Sequence, residues 1–158
     1  MKLIKVLLFV LLLFYGSPSY AKELSTRAMV SLVHSIEPLA MQYGEGNIKA
    51  YVFVDPKCPH SRDFISMIHD NEKMRSIYRY YIFFYELKRF NSHKVIGTIY
   101  SASSPLQKTL EVMVGAKEIE PLTSISPVIE EQIGKIESVA SEIGIKKRPY
   151  LIIAKEWD

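Results

Sequence analysis

The chain of 158 residues contains one cysteine, Cys58. An intramolecular disulfide is therefore excluded, and so is a zinc site built on several thiolates. Charge of one sign is also missing: 20 Lys and Arg stand against 17 Asp and Glu, a formal net charge of +3. Lys2 and Lys5 lie in a segment expected to be removed, and without those two the charge falls to +1. That is too little for a nucleic-acid binder, whose affinity rests on many phosphate-neutralising side chains, and no nucleic-acid partner is expected. A phosphate-cradling glycine loop, a dinucleotide fingerprint, a Ser-His-Asp ordering and paired catalytic carboxylates are all lacking, so no cofactor is expected. Gly44-Xaa-Gly46 is too short to carry such a reading. There is no internal repeat, low-complexity tract or Gly/Ser linker. With 48% hydrophobic and 23% charged residues, the chain reads as one compact domain, neither disordered nor fibrous.

What is present begins with an address. Lys2 and Lys5 precede an unbroken apolar run from Val6 to Tyr15, then Gly16-Ser17-Pro18 and Ser19-Tyr20-Ala21, with small residues at both cleavage-defining positions. This is the layout of a secretory signal peptide, and the run is short for a membrane span of about 20 residues. No cysteine follows to carry a lipid anchor. An uncleaved N-terminal anchor is the alternative. The expectation is a signal peptide over residues 1–21, an N-terminal helix and turn over 22–47, a catalytic-type domain over 48–158, a periplasmic location and no stable membrane span after cleavage.

Along the rest, Ala28, Leu32, Val33, Ile36 and Leu39 predict a helix within Leu24–Ala40, capped by Ser25. Tyr43 to Asn47 predict a turn. Ala50-Tyr51-Val52-Phe53-Val54 reads as a strand buried on both faces. A helix over Ser61–Ile77 facing the core with Phe64, Ile65 and Ile68, and a second strand over Tyr78–Leu87, complete a parallel crossover. Three helices follow: one using Val95, Ile96, Ile99 and Tyr100, one opened by Ser104-Pro105, and one running from Ser126-Pro127 to Gly144. Pro149 introduces a last strand, Tyr150-Leu151-Ile152-Ile153-Ala154. The class is α/β.

The chemistry concentrates in Asp55-Pro56-Lys57-Cys58-Pro59-His60-Ser61. Cys58 stands between a buried strand and a helix, where unpaired N–H groups and the helix dipole favour thiolate over thiol, with Lys57 and Arg62 adding positive charge. Pro59 suits the first helical position because its missing N–H costs nothing there. The strand, the Cys-Pro-His-Xaa turn and the following Phe-containing helix resemble the thioredoxin-fold catalytic domain of periplasmic disulfide oxidoreductases and isomerases, the DsbC/DsbG branch especially. A helical insertion over roughly Asn91–Ile143 agrees with this. So do the Gly144-Ile145 helix end and Arg148-Pro149-Tyr150-Leu151, which stand where the family has its cis-proline loop. The resemblance implies a thioredoxin-like fold with a helical insertion, Cys58 as nucleophile tuned by His60, and Arg148, Pro149 and Tyr150 as a substrate-binding loop.

Two departures matter. Ser61 occupies the place of the second cysteine, and a hydroxyl cannot resolve a mixed disulfide, so net oxidation or reduction by an intramolecular cycle is ruled out. Only Lys155-Glu156-Trp157-Asp158 follow the last strand, so the domain reads as shortened at its C-terminus, with an edge open to a partner. The leading function is an exported monothiol, isomerase-like protein exchanging disulfides of an exported protein substrate. The alternative is a non-catalytic binding or assembly module of the cell envelope, for example of a secretion or conjugation apparatus. Cys58 is otherwise a small buried hydrophobe, although its place at a strand-to-helix turn argues against deep burial. His60 is otherwise a solvated first-turn residue, and Lys146-Lys147-Arg148 a solvated turn or a cationic neighbour of Cys58. Asp55 is a buried proton acceptor or a turn cap. Tyr78, Tyr80, Tyr81, Phe83, Phe84 and Tyr85 read as strand core and edge. His34, His69 and His93 read as surface residues, and no metal is expected, because Cys58 and His60 with Met67 or His69 match no closed site.

Overall fold

The computed structural model describes residues 24–154; the signal-peptide expectation for residues 1–21 lies outside the described residues. Ser25 caps the first helix, α1 (Thr26–Ile36), accepting from the Ala28 amide at 3.3 Å. A short 3-10 turn (Glu37–Leu39) leads to β1 (Met41–Tyr43), and β2 (Ile48–Val54) follows. Then come α2 (Pro59–Asp70), α3 (Glu72–Ile77) and β3 (Tyr78–Phe84). After a second 3-10 turn (Lys88–Phe90) the insertion supplies α4 (His93–Tyr100), α5 (Pro105–Met113) and α6 (Pro127–Ile143), and β4 (Tyr150–Ala154) closes the sheet.

The sheet order is β1-β3-β2-β4. β2 and β3 are parallel, in register from Ile48 opposite Tyr78 to Val54 opposite Phe84, which is the crossover expected from the strand-helix-strand order. β1 runs antiparallel to β3 and β4 antiparallel to β2. Residues 50–54 are fully buried, as their continuous apolar run requires, because helices cover both faces. Tyr51 meets His34 of α1 edge-on, whereas Tyr80, on the opposite face, meets Phe64 of α2. α1 packs with α6, and α2 with α5. The junction of α1 and β2 is polar: Lys49 Nζ and the Tyr51 hydroxyl donate to Glu37 at 2.8 and 2.6 Å.

Three expectations are corrected. The stretch Met41–Tyr43 is a strand, paired with Tyr80–Ile82 and too short to show a period of two. The helix foreseen over Ser61–Ile77 is two helices, because Asn71 leaves helical geometry (φ −116°, ψ 91°) and its side chain accepts from the Met74 amide, capping α3. β3 stops at Phe84 rather than Leu87, since side chains then replace the ladder: Asp55 takes the Leu87 amide and Arg148 takes the carbonyls of Tyr85 and Glu86. The helix bounds at Ser126 and Gly144 stand. Ser126 accepts from Ile129, and Gly144 adopts φ +81°, a left-handed cap that a side chain would strain. Among the described residues no helix is long and apolar enough to cross a membrane.

Candidate active site

β2 delivers the chain to Asp55, a fully buried residue at the C-terminal edge of the sheet. Its side chain accepts from the Lys57 amide at 2.8 Å, the turn-forming bond an aspartate makes two residues on. The other oxygen accepts from the Leu87 amide at 2.6 Å and the Ser92 hydroxyl at 2.7 Å. Asp55 therefore ties the Cys58 turn to the end of β3 and to the start of the insertion. These three bonds give it the turn-capping role.

The Cys58 amide donates to the Asp55 carbonyl at 3.0 Å, and the Cys58 carbonyl accepts from Arg62 at 3.0 Å, which makes Cys58 the N-cap of α2. Pro59 sits at the first helical position and brings no N–H. The amides of His60 and Ser61 belong to the turn in which helical N–H groups lack intrahelical acceptors, so the positive end of α2 meets the sulfur. Cys58 is 1% exposed, against the expectation of a shallow position. The cover is the loop before β4: Cys58 Sγ lies 3.9 Å from the Arg148 carbonyl oxygen.

That loop contains the cis peptide between Arg148 and Pro149. The side chains of Arg148 and Tyr150 are engaged elsewhere. Arg148 is 7% exposed and turned inward; Nε donates to Tyr85 O at 2.8 Å, one Nη to Glu86 O at 3.0 Å, and the guanidinium lies 3.6 Å from the Tyr85 ring centroid. Burial lowers its pKa below the ordinary arginine range, opposed by attraction to Tyr85, Asp55 and Cys58. Of the Lys146-Lys147-Arg148 run, then, only the lysines are solvated. Tyr150 directs its hydroxyl to Met29 of α1, 3.5 Å away, while its backbone pairs with Phe53. The atom of this loop that meets Cys58 Sγ is the Arg148 carbonyl oxygen.

His60 is exposed on the first turn of α2, and Ser61 is fully buried, its Oγ accepting from the Asp55 amide at 3.2 Å. Ser61 is thus a structural bond of the turn. The other histidines stand apart: His69 bonds the Tyr43 hydroxyl at 2.7 Å, His93 lies 3.0 Å from Glu130, and His34 lies 3.7 Å from Glu37. Among the described residues no group of three or more His, Cys, Asp and Glu is placed to hold a metal ion. Ser92, and the part Tyr85 plays beyond the strand, escape sequence reasoning. Both act across more than 30 residues of chain, and no local pattern marks either one.

No family model and no curated protein matches the chain. Solved structures do. ScsC of Proteus mirabilis in a compact conformation aligns over 97% of this chain and 80% of its own at 11% identity, with a TM-score of 0.66. The disulfide interchange protein of Neisseria gonorrhoeae aligns over 73% of this chain and 79% of its own at 21% identity, TM-score 0.52. The thiol-disulfide exchange protein alpha-DsbA2 of Wolbachia pipientis aligns over 82% and 86% at 12% identity, TM-score 0.54. At these identities the likeness is one of architecture: the chain is an α/β protein of thioredoxin-like fold with a helical insertion.

Proposed function

We propose that the protein is an exported, monothiol thiol-disulfide exchange protein of the isomerase type, acting in the periplasm through Cys58. The observation that carries this reading is the placement of the sole cysteine at the N-cap of α2, with its sulfur 3.9 Å from the backbone of the Arg148–Pro149 loop. A helix N-terminus stabilises a thiolate, and an extended backbone beside it offers pairing to an incoming peptide. In the first step the Cys58 thiolate attacks one sulfur of a substrate disulfide. The substrate S–S bond breaks, a mixed disulfide forms, and the departing substrate sulfur leaves as thiolate and takes a proton from water. In the second, another substrate thiol or a small-molecule thiol attacks the mixed disulfide and regenerates Cys58. Electrons balance without an external oxidant, and disulfides are rearranged rather than made. Ser61 takes no part, and the Arg148 carbonyl must yield for a disulfide to reach Sγ. Similarity to the DsbC/DsbG branch, the signal peptide over residues 1–21 and the division of the chain at residue 48 belong to the same proposal.

The test is to mix the folded protein with glutathione disulfide and weigh the product by mass spectrometry. A single adduct at Cys58 is expected, persisting until thiol is added; Ser61→Cys should shed it unaided, since the new thiol sits one helical turn away. An adduct that forms only in denaturant would overturn the proposal. The 1% exposure of Cys58 would then favour the second reading, a thioredoxin-shaped binding or assembly module of the cell envelope.

A further inference from the structure

The loops around Cys58 gather positive charge that the fold leaves unneutralised. Lys57 lies in the turn itself and Arg62 in the first part of α2; Lys88 and Arg89 lie in the 3-10 turn after β3, and Lys146 and Lys147 before Pro149. Asp55 and Arg148 bind these loops into one rim through Leu87, Tyr85 and Glu86. Lys57 Nζ donates to the carbonyls of Phe90 and Asn91 at 3.3 and 3.0 Å, and Arg62 Nε to that of Pro56 at 2.7 Å. These bonds fix the side chains without cancelling their charge. None of the rim cations has a carboxylate partner among the described residues, whereas Lys49, Lys108 and Lys135 pair with Glu37, Glu111 and Glu131. Nearby acids are fewer than the cations: Asp55 is buried, Asp63 is exposed beside Arg62 on α2, Glu86 accepts from the His93 amide, and Glu118 lies on a cleft wall. Set against Asp55, Asp63 and Glu86, the six rim cations leave an excess of three positive charges, equal to the net charge of the whole chain, +3, so the rest of the molecule is balanced. The charge is polarised toward the sulfur.

Beside the rim, between α2 and the insertion, runs a cleft of about 440 Å³. Lys57, Arg62 and Lys117 stand at its edge, and Val95, Val112 and Ile119 line it. A concave cleft of mixed polar and apolar lining, and a sulfur seated between loops, suit an extended chain better than a flat bilayer. We infer that the Cys58 end binds an acidic polypeptide segment, its carboxylates against Lys57, Lys88, Arg89, Lys146 and Lys147 and an apolar side chain in the cleft. Clustered unpaired cations repel one another and raise the local concentration of anions, which is what an acidic partner exploits. This rests on the exchange reading only in so far as that segment presents the disulfide to Cys58.

Two measurements on the full chain separate the claims. In the first, fluorescent cysteine-free peptides of acidic-apolar, neutral and lysine-rich composition are titrated by anisotropy, with vesicles of phosphatidylglycerol alongside. The acidic peptide should bind tightest, and its advantage should disappear as salt rises from about 10 mM to above 0.3 M, where screening shortens to a few ångströms. In the second, the same sequences carrying a cysteine in a mixed disulfide are reacted with Cys58. The acidic one should react about tenfold faster than the neutral one at low salt, and Lys88→Glu with Arg89→Glu should bring the two rates together. Equal affinity for acidic and neutral peptides, or vesicle binding as strong as peptide binding, overturns the inference. Exchange at one rate for every charge leaves the exchange reading standing and this one refuted. Charge-selective binding with no mixed disulfide at all does the reverse.

Discussion

Removing the Asp55 side chain should loosen the whole Cys58 turn, and the cost can be worked from its contacts. Asp55→Ala deletes acceptors for Lys57 N, Leu87 N and Ser92 Oγ, at 2.8, 2.6 and 2.7 Å. Lys57 is exposed and its amide can turn to water, so two donors are stranded: the Leu87 amide and the hydroxyl of fully buried Ser92. At about 1.5–3 kcal/mol for each hydrogen bond to a charged group, the loss is about 3–6 kcal/mol. Against a total stability of about 5–15 kcal/mol this is a large fraction. Asp55→Asn should cost about 1–3 kcal/mol, because one oxygen can still face Leu87 and Ser92 while the amide group turns toward solvent-accessible Lys57. Urea unfolding followed by far-ultraviolet circular dichroism gives both numbers. Ser92→Ala supplies the internal check: combined with Asp55→Ala it should add less than it costs alone, a coupling of about 1 kcal/mol or more. An Asp55→Ala protein within about 1 kcal/mol of wild type, or strict additivity with Ser92→Ala, would refute the view that this carboxylate joins the three segments.

Cys58, 1% exposed, should be alkylated slowly by iodoacetamide in the folded protein, and faster in Asp55→Ala at the same denaturant concentration; equal rates in the two would show that the turn does not govern access. Desolvation raises the pKa of Glu37, but hydrogen bonds from Lys49 and Tyr51, with the lysine charge, outweigh it and hold the group below the ordinary carboxylate range. Its folded pKa is thus depressed, so the stability it contributes is complete above the unfolded value of about 4.3 and lost as pH falls through the folded one. Acid titration of unfolding should be less steep in Glu37→Gln below about pH 4.3, and identical slopes would contradict this. At Gly46 a methyl group would overlap the Ile77 carbonyl, a backbone atom that cannot swing aside, so Gly46→Ala should cost about 3 kcal/mol or more. Gly144→Ala meets open space and only a strained φ, so its thermal or urea midpoint should reflect about 1 kcal/mol, and the reverse ranking would refute the assignment.

The parts legible in the sequence were those whose causes are local. β2 follows from five consecutive apolar residues, α6 from Ser126-Pro127 at one end and Gly144 at the other, and β4 from the apolar run behind Pro149. The Cys58 turn was readable because Pro59 fits only the opening of a helix. What escaped depends on partners distant in the chain. β1 exists because β3 offers it an edge, and three residues carry no period. Arg148 looked like part of a solvated basic run, yet it folds inward because β3 ends with two carbonyls for a guanidinium to bind and a tyrosine ring to cover it. The burial of Cys58 likewise involves a distant partner, the Arg148 carbonyl 3.9 Å from its sulfur. Asn71 illustrates a local signal outweighed in reading by a longer one: the apolar spacing ran through it, while its cap divided the helix.

Arg148 spends its side chain on the interior and its carbonyl on the sulfur, while Lys146 and Lys147, its immediate neighbours, remain in solvent. Geometry and surface charge are consequently encoded in adjacent but separate letters of the sequence. Drift at the two lysines can retune the charge of this surface without shifting the atom that faces Cys58, so the two properties can change at different paces.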